Sequence, residues 1–408
     1  MRSRFDSLVI RGALALGALA IALAIGAGDA KAQVACDTLP NPVYMQIGDT
    51  QQPLIKELGR ALRDNTPNPI TIVYITSGSC TNITAVYNNT PVTMNMLYAP
   101  SVAEDPNWTT AMPARSCTAP AGGAIPDIGN SNVFISACDP NPVPANVDVY
   151  HGPVQAYVLA VPEASTQTSI TAEEAYFVFG FGPAGMITPW DDLTKLEGRT
   201  NTKSTLLSWA YNLGVLPVTK WKGNRHDGSN MVVQALLDST TPEKSIGILG
   251  VEVYDQYRNM LDVLAFRGYG QWAAYYPDST ASALDKKNVR DGHYTVWSPT
   301  IYLTRKPDPT PTAAQVRARY VVDLIIGRST TPAPNFNSTA VVMHNGLVPD
   351  CAMKVQRSSE GGNLSLYQPP EDCTCYFDSQ TSSTSCATCS ASNPCASGTC
   401  RNGYCEVR

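Results

Sequence analysis

Charge is scarce in this chain. Only 15% of its 408 residues are Asp, Glu, Lys or Arg, and the net charge is −5. No basic stripe is available to meet a phosphate backbone, so the composition proposes no nucleic acid as partner. Histidine is scarcer still, with four in all and none inside the cysteine cluster that begins at Cys351. A zinc site there would have to be built from cysteine alone. Beyond the N-terminal stretch no apolar run is long enough to span a bilayer. The Gly-x-Ser-x-Gly elbow, HExxH and the P-loop are missing, which removes the usual signatures of serine hydrolases, zinc proteases and nucleotide-driven enzymes. No repeat of solenoid length is visible.

What is present starts at the N-terminus. Arg2, Arg4 and Arg11 precede an uncharged apolar stretch over 12–28, and Ala30-Lys31-Ala32 forms a small-x-small signal before Gln33. This is the pattern of a cleavable secretory signal peptide covering residues 1–32. Gln33, three before Cys36, is not the Leu that a lipid-anchor signal wants. All twelve cysteines lie beyond the cleavage point. An even count in an oxidising compartment reads as disulfides. Removal of the signal leaves about 376 residues, room for two lobes and a small module.

Strand and helix patterns alternate along the mature chain. Leu54, Ile55, Leu58 and Leu62 recur at helical spacing, so Gly48-Asp49-Thr50 is a tight loop before a helix. The run "NPITIVYIT" reads as a buried strand ending in Ser77-Gly78-Ser79-Cys80 before another helix start. Residues 101–125 are Pro-rich and irregular, and 127–136 read as a strand running into a loop. "PVQAYVLAVP" (153–162) is an apolar strand. Thr171 and Glu174 stand at capping-box spacing. "GRTNTKSTLLSWAYNLGV" and "GNRHDGSNMVVQALLDS" are polar loops that feed helices. Residues 293–305 form a further long strand and 313–327 a helix. Alternation of this kind indicates an α/β chain. From Glu371 on, apolar content is too low for a core, so disulfides must hold that segment.

The chemistry concentrates in polar loops that each precede a helix, around Thr50, Ser79, Ser204-Thr205 and Ser229. Free backbone N–H groups with a hydroxyl beside them bind anions, although Ser and Thr are also ordinary helix caps. Arg199 stands just before the Ser204-Thr205 helix start, and its planar fork suits a bidentate oxyanion. His226-Asp227 is an acid–base or metal pair by type, but on this loop it reads as a cap and a surface histidine. Asp191-Asp192 reads as a turn after Pro189.

These segments resemble the solute-binding proteins of phosphate uptake systems, which have the two-lobed type 2 periplasmic-binding fold. The likeness runs over roughly residues 40–350. "NPVYMQIGDTQQP" is similar to the family's opening strand and Gly-x-Thr loop, Gly78-Ser79-Cys80 to its Gly-Ser-Ser turn, and "DIGNSNVF" to its Ile-Gly-x-Ser-Asp strand. The run Arg199-Thr200-Asn201-Thr202-Lys203-Ser204-Thr205 loosely matches its Arg-x-Asp-Gly-Ser-Gly-Thr loop. "SIGILGVEVY" and "VRDGHYTVWSPTIYL" match its Ile-Gly-Tyr segment and its return strand. A second alignment puts Arg225-His226-Asp227-Gly228-Ser229 on the Arg loop; the helix and strand that follow favour Arg199.

The resemblance implies a fold with lobe 1 at 33–158 and 300–355, lobe 2 at 159–299 and a disulfide-rich tail at 356–408. It implies a ligand clamped by Thr50, Ser79, Arg199, Ser204 and Thr205, with Ser229 at a neighbouring helix start. Asn132 falls where the family has a proton-accepting Asp, and Lys203 replaces a Ser. An Asn donates where an Asp repels a fully ionised anion, so selectivity would relax. The expected function is an exported, non-catalytic, monomeric solute-binding protein without cofactor. It would take phosphate or a similar oxyanion and hand it to an ABC-type permease, in the periplasm or at the outer surface. The alternatives are a surface or secreted interaction module with a degenerate site and, third, a secreted hydrolase. The tail's short Cys spacings look like small EGF-like knots.

Overall fold

A computed structural model describes residues 33–382 and 384–406. The signal-peptide segment lies outside them. Among the described residues no helix is long and apolar enough to cross a membrane.

In the first lobe, β1 (Pro42–Gly48) leads through a single 3-10 turn into α1 (Gln52–Arg63). The Leu54, Ile55, Leu58 and Leu62 stripe of α1 is buried, as its spacing predicts. β2 (Thr71–Ser77) pairs in parallel with β1 and runs directly into α2 (Ser79–Tyr87). β3 (Met96–Tyr98) and β4 (Arg115–Cys117) add an antiparallel edge, and β5 (Ile128–Ser131) joins the other side of β1. β6 (Val147–Pro162) then carries the chain across to the second lobe.

That lobe holds β7 (Ser169–Thr171), α3 (Ala172–Phe181), β8 (Leu196–Arg199), α4 (Ser204–Leu213), β9 (Asn224–His226), α5 (Ser229–Leu237), β10 (Ile246–Gly250), α6 (Val251–Tyr254), β11 (Leu261–Val263), β12 (Ala265–Arg267) and α7 (Lys287–Arg290). The capping box at Thr171 and Glu174 is formed. β13 (Trp297–Arg305) returns to the first lobe, followed by α8 (Ala313–Ile325) and α9 (Ser338–His344). The C-terminal segment contains β14 (Val355–Gln356), β15 (Ser365–Leu366), α10 (Thr374–Thr381), β16 (Thr399–Arg401) and β17 (Tyr404–Glu406).

The main sheet runs β4-β3-β2-β1-β5-β13-β6-β10-β8-β9, with β11 also on β6. Its two halves repeat one plan. In the first, parallel β2, β1 and β5 meet antiparallel β13, which meets β6. In the second, parallel β9, β8 and β10 meet antiparallel β6, which meets β11. β6 belongs to both halves: Val147 to Ala156 pair with β13, and Tyr157 to Ala160 pair with β10. Ligands of open α/β sheets bind beyond the carboxyl ends of the parallel strands, and here those ends from both halves face one interlobe space.

β9 stands where a polar loop is expected. It pairs with β8 through Asn224, Arg225 and His226, and a polar edge strand shows no apolar alternation. The segment from Glu371 also differs from its composition-based expectation. Tyr376 and Phe377 of α10 are buried in the second lobe's core, so neighbouring elements supply the packing that the segment cannot provide itself. All twelve cysteines are paired, as Cys36–Cys117, Cys80–Cys138, Cys351–Cys373, Cys375–Cys386, Cys389–Cys400 and Cys395–Cys405. None is left to ligate zinc.

Candidate functional site

Thr50, Ser79 and Asn132 come from the ends of three parallel strands in the first lobe and touch one another. The Asn132 amide donates to Thr50 Oγ1 at 2.7 Å, and the Asn132 backbone N–H donates to Ser79 Oγ at 3.1 Å. The approach is close: a Cβ at Gly48 would lie 3.0 Å from the Asn132 amide nitrogen. The Cys80–Cys138 disulfide ties the start of α2 to the chain just past Asn132.

The second lobe supplies Arg199, Lys203, Ser204, Thr205 and Ser229, all buried. Tyr157, on the crossing strand, links the lobes by donating to the Asn132 carbonyl and hydrogen-bonding Ser204. Thr202 presses against the other lobe. Its carbonyl accepts from Cys80 N–H at 3.3 Å, and a Cβ at Gly78 would land 2.3 Å from its hydroxyl. Only glycine fits position 78 while the lobes meet this way.

Arg199 is fully engaged, and not by an open site. Its Nη2 donates to both carboxylate oxygens of Asp49 at 2.9 Å and to the Asp227 carbonyl at 2.8 Å. Nε donates to the His226 carbonyl at 3.2 Å, and Nη1 donates to Ser229 Oγ. Asp49 also accepts the Ser229 backbone N–H at 2.8 Å, so a first-lobe carboxylate caps α5 of the second lobe. A negative charge at a helix N-terminus beside a guanidinium is where an oxyanion was expected. Burial works against ionising Asp49, but the Arg199 charge and these hydrogen bonds outweigh it and hold its carboxyl below the ordinary range. Lys203 is turned aside to Asp227, at 3.2 Å. A cavity of ≈ 170 Å³ opens beside Asp49, Ser229, Asn230, Gln52, Gln256 and Tyr257.

Arg225, the competing candidate, is a strut. It donates to the carbonyls of Arg199, Val218 and Trp221. His226 pairs with Glu197 at 2.6 Å through Nε2, and only its carbonyl reaches Arg199.

Sequence reasoning missed five residues at this centre. Asp49 and Tyr157 are two of them. Gln155, a lone amide in an apolar crossing strand, accepts from Thr50 at 3.5 Å and Gln51 at 3.2 Å; its isolation in "PVQAYVLAVP" was the available signal. Glu252 is buried, and burial pushes its pKa up to about 8 against the opposing pull of the Gln155 amide. Glu360 reaches in from the C-terminal segment and had no sequence signal at all. Among the buried polar atoms without a partner, Asn132 Oδ1 and Thr205 Oγ1 belong to site residues.

No family profile and no curated protein matches this sequence. Solved structures do. A candidate phosphate ABC transporter substrate-binding protein from Clostridium perfringens, with bound phosphate, aligns over 76% of this chain and 99% of its own, at 12% identity and a TM-score of 0.50. An ABC-type phosphate transport receptor from Vibrio cholerae aligns over 76% and 100%, at 10% identity and a TM-score of 0.47. The chain has the two-lobed type 2 periplasmic-binding fold, extended by a C-terminal segment rich in disulfides.

Proposed function

We propose that this chain is an exported solute-binding protein that holds a small oxyanion between two lobes, phosphate first among them, and delivers it to an ABC-type permease. The observation that carries the reading is the first-lobe junction of Thr50, Ser79 and Asn132, tied through Tyr157 to Ser204 of the second lobe, with Arg199 held beside it by Asp49 of the loop that carries Thr50. The phosphate bound by the Clostridium perfringens protein that shares the fold supports it. Six disulfides and the signal-peptide pattern at 1–32 support an extracytoplasmic site of action. In this reading the mature protein is a monomer in the periplasm and binds without catalysis.

A second reading keeps the fold but not the solute. Asp49 already neutralises Arg199 and caps α5, which favours an interaction module with a self-filled site. Calorimetry of the mature protein with phosphate, sulfate and arsenate separates the two. Micromolar binding, about −8 kcal/mol, is expected of a solute-binding protein. Absence of heat with all three anions would leave the interaction module standing.

A further inference from the structure

Glu360 lies in a Ser- and Gly-rich stretch, yet it is only 6% exposed. The stretch is held as a loop by the Cys351–Cys373 disulfide and by the β14–β15 hairpin. Arg357 anchors it further, stacking over Trp297 at 4.3 Å and donating to the carbonyls of Thr295 at 2.8 Å and Trp297 at 3.3 Å.

The carboxylate at its tip meets three donors from three parts of the fold. Oε2 accepts from the Phe134 N–H at 3.3 Å and Ser298 Oγ at 2.8 Å, and Oε1 accepts from Ser208 Oγ at 2.7 Å. Phe134 is two residues past Asn132 in the first lobe. Ser208 is one helical turn past Ser204 in the second. Ser298 lies on β13, opposite Gln155 of β6. Glu360 also lies close enough to influence Tyr157, which ties Asn132 to Ser204. Taking a carboxylate out of water costs several kcal/mol, so it persists only where donors replace the water.

We propose that the interlobe cleft contains a second subsite, shaped for a carboxyl group, which the chain fills with its own Glu360. The cradle is built of two hydroxyls and one backbone N–H, with the Arg357 charge near enough to act on Glu360. It draws on both lobes, so the tethered carboxylate holds them together before any solute arrives. Solute binding at the Asp49 side then has no closure to drive. This inference stands on the strap and its cradle, whatever the Arg199 side binds.

The test uses the mature full chain, without phosphate, in small-angle scattering and thermal melting. The wild type is expected to be compact, and Glu360→Ala to show a larger radius of gyration. Formate or acetate should restore compactness to E360A and raise its Tm saturably, with no such rise for chloride at equal ionic strength or for the wild type. An E360A protein as compact as the wild type, with no more response to formate than to chloride, overturns the proposal. If E360A does not fold, the cradle is changed instead. The mature chain carrying Ser208→Ala and Ser298→Ala then serves as the second variant: it removes two of the three donors, so partial opening is expected, and wild-type compactness overturns the subsite. Phosphate calorimetry plays no part in this test, so its outcome and that of the solute-binding reading are read separately.

Discussion

Asp49 and Arg199 meet across the cleft at 2.9 Å, one from each lobe, and the same carboxylate caps α5. A strand-end loop in the first lobe thereby satisfies a guanidinium in the second. Any anion that binds this guanidinium competes with a resident one.

Arg199→Ala should abolish phosphate binding, because it removes the guanidinium and leaves the Asp49 charge in the cleft to repel an anion. Asp49→Asn should bind phosphate about tenfold more tightly, equivalent to about 1.4 kcal/mol. It frees the guanidinium and keeps an acceptor for Ser229 N–H. Arg225→Ala should leave affinity intact and lower stability by about 1–3 kcal/mol, since it only loses bonds to carbonyls. Titration calorimetry and urea unfolding of the three variants check this. Weaker binding by D49N would place Asp49 inside the ligand's own shell.

Phe377→Ala should cost about 3–5 kcal/mol of stability. Phe377 is buried in the second lobe's core, with the Arg290 guanidinium 4.7 Å from its ring centre and Arg290 paired to Asp378 at 2.5 Å. Chemical unfolding measures the loss. A change within about 0.5 kcal/mol would mean that the segment beyond Cys351 is a passive appendage.

Stability should fall as pH rises through about 8, and Glu252 should be a main cause. Burial raises its pKa, the Gln155 amide opposes the rise, and Asp255 and Asp49 add to it. An unfolded glutamate titrates near about 4.3, so the folded state holds the extra proton between those values. Its stabilising contribution is complete below the unfolded pKa and is lost on passing the folded one. Glu252→Gln should flatten this slope, gaining on the wild type steadily from pH 5 to about 8. Asp49 has the opposite sign: its depressed carboxyl stabilises at neutral pH, and that contribution is lost as pH falls. Thermal melts across pH 4–9 resolve both limbs; parallel curves for wild type and E252Q would refute the assignment.

Much of the fold was legible because its signals are local. The α1 stripe, the Thr171–Glu174 cap and the apolar β6 all follow from periodicity or spacing. The first-lobe half of the site was legible for the same reason, since Thr50, Ser79 and Asn132 each end a recognisable strand. The partners that complete it were not. Asp49 and Arg199 lie 150 residues apart, and Ser208 and Glu360 lie 152 apart. Neither pairing leaves a trace in spacing. Phe377 misled composition in the same way, because its core is contributed by distant elements.

β13 inserts between β5 and β6, although it is synthesised about 135 residues after β6 ends. The second half-sheet can be complete once β11 has emerged, at Val263. The first half, begun earlier, must wait for Trp297–Arg305. The half-sheet that starts second therefore closes first. A chain stalled or cut before β13 would present two unpaired strand edges, on β5 and on the front of β6, at which other chains could add.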